Sequence, residues 1–566
     1  MNKKSLVIIA IFSLTLLTSF CGVMKVLDYK NIQPKVLFAG VRTFVNDLFS
    51  DTEYVTAEQS RIDVLHYDLK IALLTKKEKI KGDVTITLLN PITNNLPVVL
   101  NFYENMEVSE LLLNGSETEF TRDDYHLIIN KNEVQTDTVV INVKYEGTPK
   151  RLGFDSFSFD KYKGESVVYT LNEPTYASTW FPCNDIPSDK AFADIYITND
   201  SSKTSVSNGI LVEEKFADDL KTAHWKTIYR ISTYLIAIYS ADYELFTDTF
   251  VSESGDSMNL QYYVFEDDLE DAKLDFANQK DILAFFESKF GEYPFIKEKY
   301  GIAEFLWQSG AMEHQTITGI GTNFITGRKM FNDILIHELA HHWWGNAVGP
   351  MSWKDVWLNE GFATYSEALY YEHESGRNSL ISTMNSKFSK YYDKRLYDTE
   401  GSLFSGTIYN KGAWVLHMLR REVGDENFFK ILRNYFETYK YKNASTNDFI
   451  KVCENISDKN LKQFFEQWVT IGSEVLQIEY SWKFNQIKDG KFKVELEIKQ
   501  TQNDYEPYEF SLDINFSSET ESISKTLKID KKESKIDFIL DFKPAEVKLD
   551  KDSWLFAEID MNENGN

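Results

Sequence analysis

The segment "DILIHELAHHWWGN", Asp333 to Asn346, sets three histidines and a glutamate inside an apolar, aromatic run. Such side chains are seldom buried unless paired or bound to something. On a helix, residues four apart share a face, so His337 and His341 point the same way, one turn apart. Two imidazoles so placed can grip one metal ion. Glu338 lies between them and can reach a water on that ion without ligating it. His342 is one step further round and is expected to face into packing. Catalytic zinc keeps three protein ligands and one open position. Glu360 follows His341 after eighteen intervening residues, at the start of a second predicted helix, and its carboxylate completes a His₂Glu set. Glu367 is two turns further along the same face and could orient a ligand histidine from behind.

The elements that carry these residues are read from periodicity. From Arg61 the chain alternates with period two ("RIDVLHYDLKIAL", "KGDVTITLLN", "TVVINVKYEG"), and strand-like runs continue through "AFADIYITN" and "YLIAIYSADYELF". Near residue 250 the period becomes helical. "DLEDAKLDFANQKDILAFFESKF", "DILIHELAHHWWGNAV", "EGFATYSEALYYEHES", "KGAWVLHMLRREVG" and "NLKQFFEQWVTIG" follow before alternation returns after Gly472. The spacing therefore predicts a multidomain α+β protein. Its N-terminal β domain covers 59–250, a mainly helical catalytic domain 251–472, and a small C-terminal β domain, read as a sandwich, 473–566.

With 43% hydrophobic and 14% aromatic residues the chain is globular. Its net charge of −26 argues against nucleic-acid binding, which needs a basic face, and is compatible with cationic partners such as peptide amino ends. Cys21, Cys183 and Cys453 offer no disulfide framework. After Lys3 and Lys4, Leu6 to Met24 is free of charge, so 1–27 reads as a signal peptide, a membrane helix or a lipid anchor at Cys21, with 28–58 as linker. An extracytoplasmic location in the cell envelope is the expectation, membrane-anchored first and secreted second.

The motifs also carry a resemblance. H-E-x-x-H with a glutamate after eighteen intervening residues resembles the gluzincin metallopeptidases, and "WWGNAVGPMSWKDVWLNEGFA" is similar to the aminopeptidase N family. "GAMEH" (Gly310 to His314) resembles that family's G-x-M-E-N motif, "NEPTYASTWFPCNDIPSDK" its Q-x-E-P…F-P-C-x-D-x-P segment, and "IYNKGAWVLHML" its Y-x-K-G-A segment. The resemblance implies a thermolysin-like catalytic domain and one zinc per chain on His337, His341 and Glu360. It further implies Glu338 as general base and acid and Tyr409 as hydrogen-bond donor to the oxyanion. Glu313 and Glu173 would clamp the amine of a peptide with a free N-terminus, and Gly310, Ala311 and Met312 would line the substrate. The strand "YGIAEFLW" before "GAMEH" is expected to pair with the extended substrate. His314 stands in place of the family's Asn, where it would shift a backbone contact or respond to pH. Leu171 and Ser178 depart from Gln and Arg, and Leu171 with Met312 is expected to line the pocket for the first side chain. The long C-terminal helical domain of larger members is missing from the pattern. The alternatives are a gluzincin endopeptidase and a catalytically silent ectodomain on the same fold.

Overall fold

The computed structural model describes residues 59–89, 97–130 and 138–562. The N-terminal run read as an anchor lies outside them. No helix among the described residues is long and apolar enough to cross a membrane.

Alternation builds the N-terminal domain as expected. In the strand Asp63–Leu74, Val64, Tyr67, Leu69 and Ile71 are buried, while most of the residues between them face out. This strand lies inside a nine-stranded sheet, paired antiparallel with Lys79–Leu89 on one side and parallel with Lys190–Asp200 on the other. A four-stranded sheet holds Glu165–Thr170 and Tyr239–Ala241 side by side.

The helical region is built on a five-stranded sheet whose first strand is Glu244–Val251. The change of period expected at 250 therefore falls inside a strand. Alternation continues through Ser257–Val264, and only then do helices take over. Lys299–Phe305 is buried along its whole length because it is central, flanked by Ser257–Val264 and Ile317–Gly321. The expectation that "YGIAEFLW" pairs with substrate is thus corrected, since both its edges are taken. The edges of that sheet are Glu244–Val251 and, on the side of Ile317–Gly321, the short strand Ala311–Met312.

From Leu476 onward a four-stranded and a three-stranded sheet face each other. Phe516 packs on Phe538, with ring centroids 4.8 Å apart, and the Tyr480 hydroxyl donates to the carbonyl of Val547 at 3.0 Å across the gap.

Candidate metal centre and its carboxylate neighbour

The helix carrying the histidines runs Asn332–Ala340. The helical reading of "DILIHELAHHWWGNAV" holds only that far. Beyond it the N–H groups of Asn346, Ala347 and Val348 donate five residues back, to the carbonyls of His341, His342 and Trp343. The chain then reverses at Gly345, whose φ of 124° suits glycine. A side chain there would press on Asn359 and on the ring of His341.

The turn fixes His341. Its Nδ1 donates to the Trp344 carbonyl at 2.9 Å, and His337 Nδ1 donates to Glu367 Oε1 at 2.8 Å. With both Nδ1 atoms donating, each Nε2 carries a lone pair. The two Nε2 atoms lie 3.0 Å apart, and each is 3.3 Å from Glu360 Oε2. In the neutral tautomer that these bonds favour, three electron-rich atoms converge and can share one cation. Donors about 2.0–2.1 Å from a tetrahedral zinc lie roughly 3.3 Å apart, so the set fits zinc. Glu367 Oε2 is held by Lys387 Nζ at 2.7 Å, which keeps the other oxygen aimed at His337.

Glu360 sits in the first turn of the long helix Trp357–Ser375. Next to it, Gly361 meets Gly412 so closely that a Cβ on Gly361 would lie 2.9 Å from the facing backbone. That contact brings in Gly412–Val423 and, just before it, the wide turn Thr407–Lys411 bearing Tyr409. The Tyr409 ring lies nearly parallel to the His337 imidazole, 5.7 Å away.

A second triad overlaps the first. One oxygen each of Glu173, Glu313 and Glu360 lie within 4.8 Å of one another, all three residues buried, just as one atom each of His337, His341 and Glu360 do. Glu313 follows the edge strand, and its carbonyl accepts from Asn346 Nδ2 at 2.7 Å. Glu173 follows Asn172, which is locked by Trp180 Nε1 at 2.9 Å and by its own donation to the Ile236 carbonyl at 2.6 Å. The Gly310 carbonyl accepts from the Gly321 N–H at 3.1 Å, and Ala311 and Met312 pair with Ile320 and Gly319.

With no cation in the cluster, the electrostatics follow from this crowding. Burial alone would raise Glu360, but His341 and His337 outweigh it and bring it to about 2. Burial raises Glu338 to about 8 against the pull of His337, with Glu313 adding to the rise. Glu313 is likewise raised by burial. Burial works against protonated His341, yet Glu313 and Glu360 lift it to about 9, and Glu360 and Glu367 lift His337 in the same direction. Burial, with Glu360, Glu173, Glu313 and Glu338 nearby, keeps Tyr409 a neutral phenol.

His342 faces packing, accepting the Thr316 N–H at 3.1 Å and donating toward the Glu338 carbonyl at 3.2 Å. His314 is fully buried and bonded to Tyr239, and burial lowers it to about 3, so it is not the pH-responsive neighbour expected. Leu171 exposes nothing and belongs to the core, not to a pocket wall. Ser178 binds Asp185. Sequence reasoning missed Lys387, Tyr239 and Lys190. The Lys190 ammonium crosses from the N-terminal domain to the carbonyls of Asn346 and Ala347 at 2.7 and 3.0 Å. None carries a periodic signal, because each finds its partner only through tertiary approach.

Fold and site together define the gluzincin class that the motifs resemble. The M1 peptidase N-terminal domain model matches residues 63–235, and the peptidase family M1 domain model matches 274–468. The chain belongs to the M1 peptidase family, whose members are zinc metallopeptidases. Glutamyl aminopeptidase from Rattus norvegicus is 27% identical, over 72% of this chain and 47% of the relative. Aminopeptidase 2, mitochondrial, from Saccharomyces cerevisiae is 27% identical, over 73% of this chain and 47% of the relative. The chain thus spans about half the length of these curated relatives. Among solved structures, Legionella pneumophila aminopeptidase A aligns with a TM-score of 0.79 and 20% identity, covering 90% of this chain and 60% of that one. The M1 zinc metallopeptidase from Deinococcus radiodurans aligns with a TM-score of 0.61 and 24% identity, covering 72% and 93%. At these identities the two structures speak for the fold.

Proposed function

We propose that this chain is a zinc-dependent aminopeptidase, holding one ion on His337, His341 and Glu360 and removing residues from the free amino ends of peptides. The observation that carries the reading is the sharing of Glu360 between a metal-binding triad and a triad of carboxylates. The amine of an N-terminal residue is only two bonds from its carbonyl carbon. An ammonium held by Glu173 and Glu313 therefore leaves the first peptide bond at the metal-binding group. The matched relatives named as aminopeptidases support the same reading.

When bound, zinc supplies Lewis-acid polarisation of the scissile carbonyl and acidifies water beside it. Glu338, whose Oε2 is buried with no protein partner among the described residues, accepts a proton from the attacking water. The water oxygen bonds the carbonyl carbon. The same carboxyl group then delivers its proton to the departing nitrogen as the C–N bond breaks. Tyr409 donates to the carbonyl oxygen as it gains charge. Glu367, tied to Lys387, orients His337, and the open edge at Gly310, Ala311 and Met312 takes the extended backbone of the substrate. The charge-free run Leu6 to Met24 supports an extracytoplasmic, anchored enzyme, and the domains are bounded near residues 59, 243 and 472.

Hydrolysis of aminoacyl-arylamides with free and with N-acetylated amines tests this. Acetylation removes charge-assisted hydrogen bonds worth about 1.5–3 kcal/mol each and leaves two carboxylates uncompensated, so kcat/KM is expected to fall at least about a thousandfold. Equal cleavage of both, with cuts at internal bonds, would replace this reading with an endopeptidase.

A further inference from the structure

The two carboxylates of the amine clamp come from different domains. Glu313 follows the edge strand of the five-stranded sheet, and Glu173 lies in a loop of the N-terminal domain. A clamp of this kind works only if the gap between its arms is held closely. Three observations converge on one side-chain pair beside both arms.

The first is a hydrogen bond across the domain boundary. The Tyr239 hydroxyl and His314 Nδ1 lie 2.6 Å apart, both residues fully buried. His314 is the immediate neighbour of Glu313. The second is register. Tyr239 pairs with Tyr169 in the four-stranded sheet, and that strand ends at Thr170, three residues before Glu173. The Tyr239 and Tyr169 rings both pack on Phe305, with centroids at 6.1 and 5.2 Å. The third is clearance. Gly319, opposite Met312 in the sheet, leaves room for the Tyr239 hydroxyl, which a Cβ there would meet at 2.4 Å. The Tyr239 hydroxyl is thus seated directly behind the substrate edge. His314 also keeps Nε2 buried with no protein partner among the described residues, a cost that an apolar side chain would avoid.

We propose that the Tyr239–His314 hydrogen bond is the interdomain tie that sets the separation of Glu313 and Glu173, making both residues positioning residues for the substrate's amine. The proposal rests on the aminopeptidase reading. The tie acts on binding of the ammonium and not on proton transfer, so its loss is read in KM.

The test uses Tyr239→Phe, which keeps the ring and its packing, and His314→Asn, each made in the full chain with and without Glu313→Gln. Zinc content and melting temperature are measured alongside. Tyr239→Phe is expected to lower kcat/KM for free-amine arylamides about tenfold through KM, with zinc content unchanged. In the Glu313→Gln background the same change is expected to cost less than about twofold, because a tie to an arm already disabled has nothing to hold. His314→Asn is expected to behave like Tyr239→Phe. An unchanged KM in Tyr239→Phe, or equal losses in both backgrounds, would overturn the tie while leaving the aminopeptidase reading intact. A wild-type protein that does not distinguish free from acetylated amines would overturn both together.

Discussion

Glu338→Gln preserves the shape of the side chain and removes its proton-accepting oxygen. Since Glu338 is outside the His337–His341–Glu360 triad, zinc content by atomic absorption is expected to match wild type, while kcat falls by about 10²–10⁴. Turnover near wild type would remove Glu338 from the mechanism. Tyr409→Phe is expected to lower kcat with little change in KM, because its hydrogen bond strengthens only as charge develops. Zinc uptake has its own signature. Glu313 and Glu360 lift His341 to about 9 in the zinc-free protein, overcoming burial, and His337 is raised as well. Both rings must be unprotonated to ligate, so binding below these raised pKa values expels protons and zinc affinity rises with pH toward about 9. Calorimetry at pH 7 in buffers of different ionisation enthalpy is expected to show net proton release; a pH-independent affinity would contradict the charge balance drawn for the cluster. The pairing of His337 with His341 was legible because a spacing of four on a helix puts two side chains on one face. Glu173 and Glu313 were legible only through motif resemblance. Lys387, which steadies Glu367, left no mark in the sequence.

Elements were legible where one face is wet and obscure where both are dry. The half-exposed strand Asp63–Leu74 alternates, and its register can be read directly. Lys299–Phe305 is buried on both faces, so nothing in its pattern distinguishes a central strand from an edge, and an open edge was expected there when Ala311–Met312 has it. The end of the zinc helix at Ala340 was hidden for a similar reason, since the aromatic residues that continue the apolar run belong to wide turns closing on Gly345. The glycines of "NEGFA" and "KGA" carry more than their motifs suggest, because Gly361 and Gly412 let the two helices cross beside Glu360 and Tyr409. In Gly361→Ala the new Cβ would meet backbone, which cannot rotate away, so the helices must part. A stability loss of about 1–3 kcal/mol is expected in thermal melts, together with weaker zinc binding and lower kcat. A variant with wild-type melting temperature and kcat would show that the crossing is looser than drawn.

At the scale of the molecule, one site draws residues from two domains, and the third domain holds the back of the catalytic one. Lys411, two residues after Tyr409, buries its ammonium against the carbonyls of Lys394 and Ser473 at 2.8 and 2.6 Å. Burial lowers its pKa to about 7, so losing either acceptor is costly. Further along, Trp554 stacks on His417 at 4.6 Å with the Arg377 guanidinium 3.9 Å from its ring centre, and Phe556 packs on Trp414 and Phe388. Three domains could be counted from the changes of period, but this dependence could not, because it is made by single side chains meeting across an interface. It leads to a paired prediction. A protein of residues 59–566 is expected to be soluble and active, since the first strand of the N-terminal core begins at Asp63. A protein of residues 59–472 is expected to aggregate or to lose turnover. It would expose Trp414 and Met418 and leave Lys411 without the Ser473 carbonyl, loosening the turn that aims Tyr409. Within the full chain, Trp554→Ala isolates the docking term and is expected to cost about 2–4 kcal/mol of stability with zinc content unchanged. Soluble 59–472 protein with wild-type kcat would mean that the C-terminal β domain is a passenger and that the Tyr409 turn is held by the catalytic domain alone.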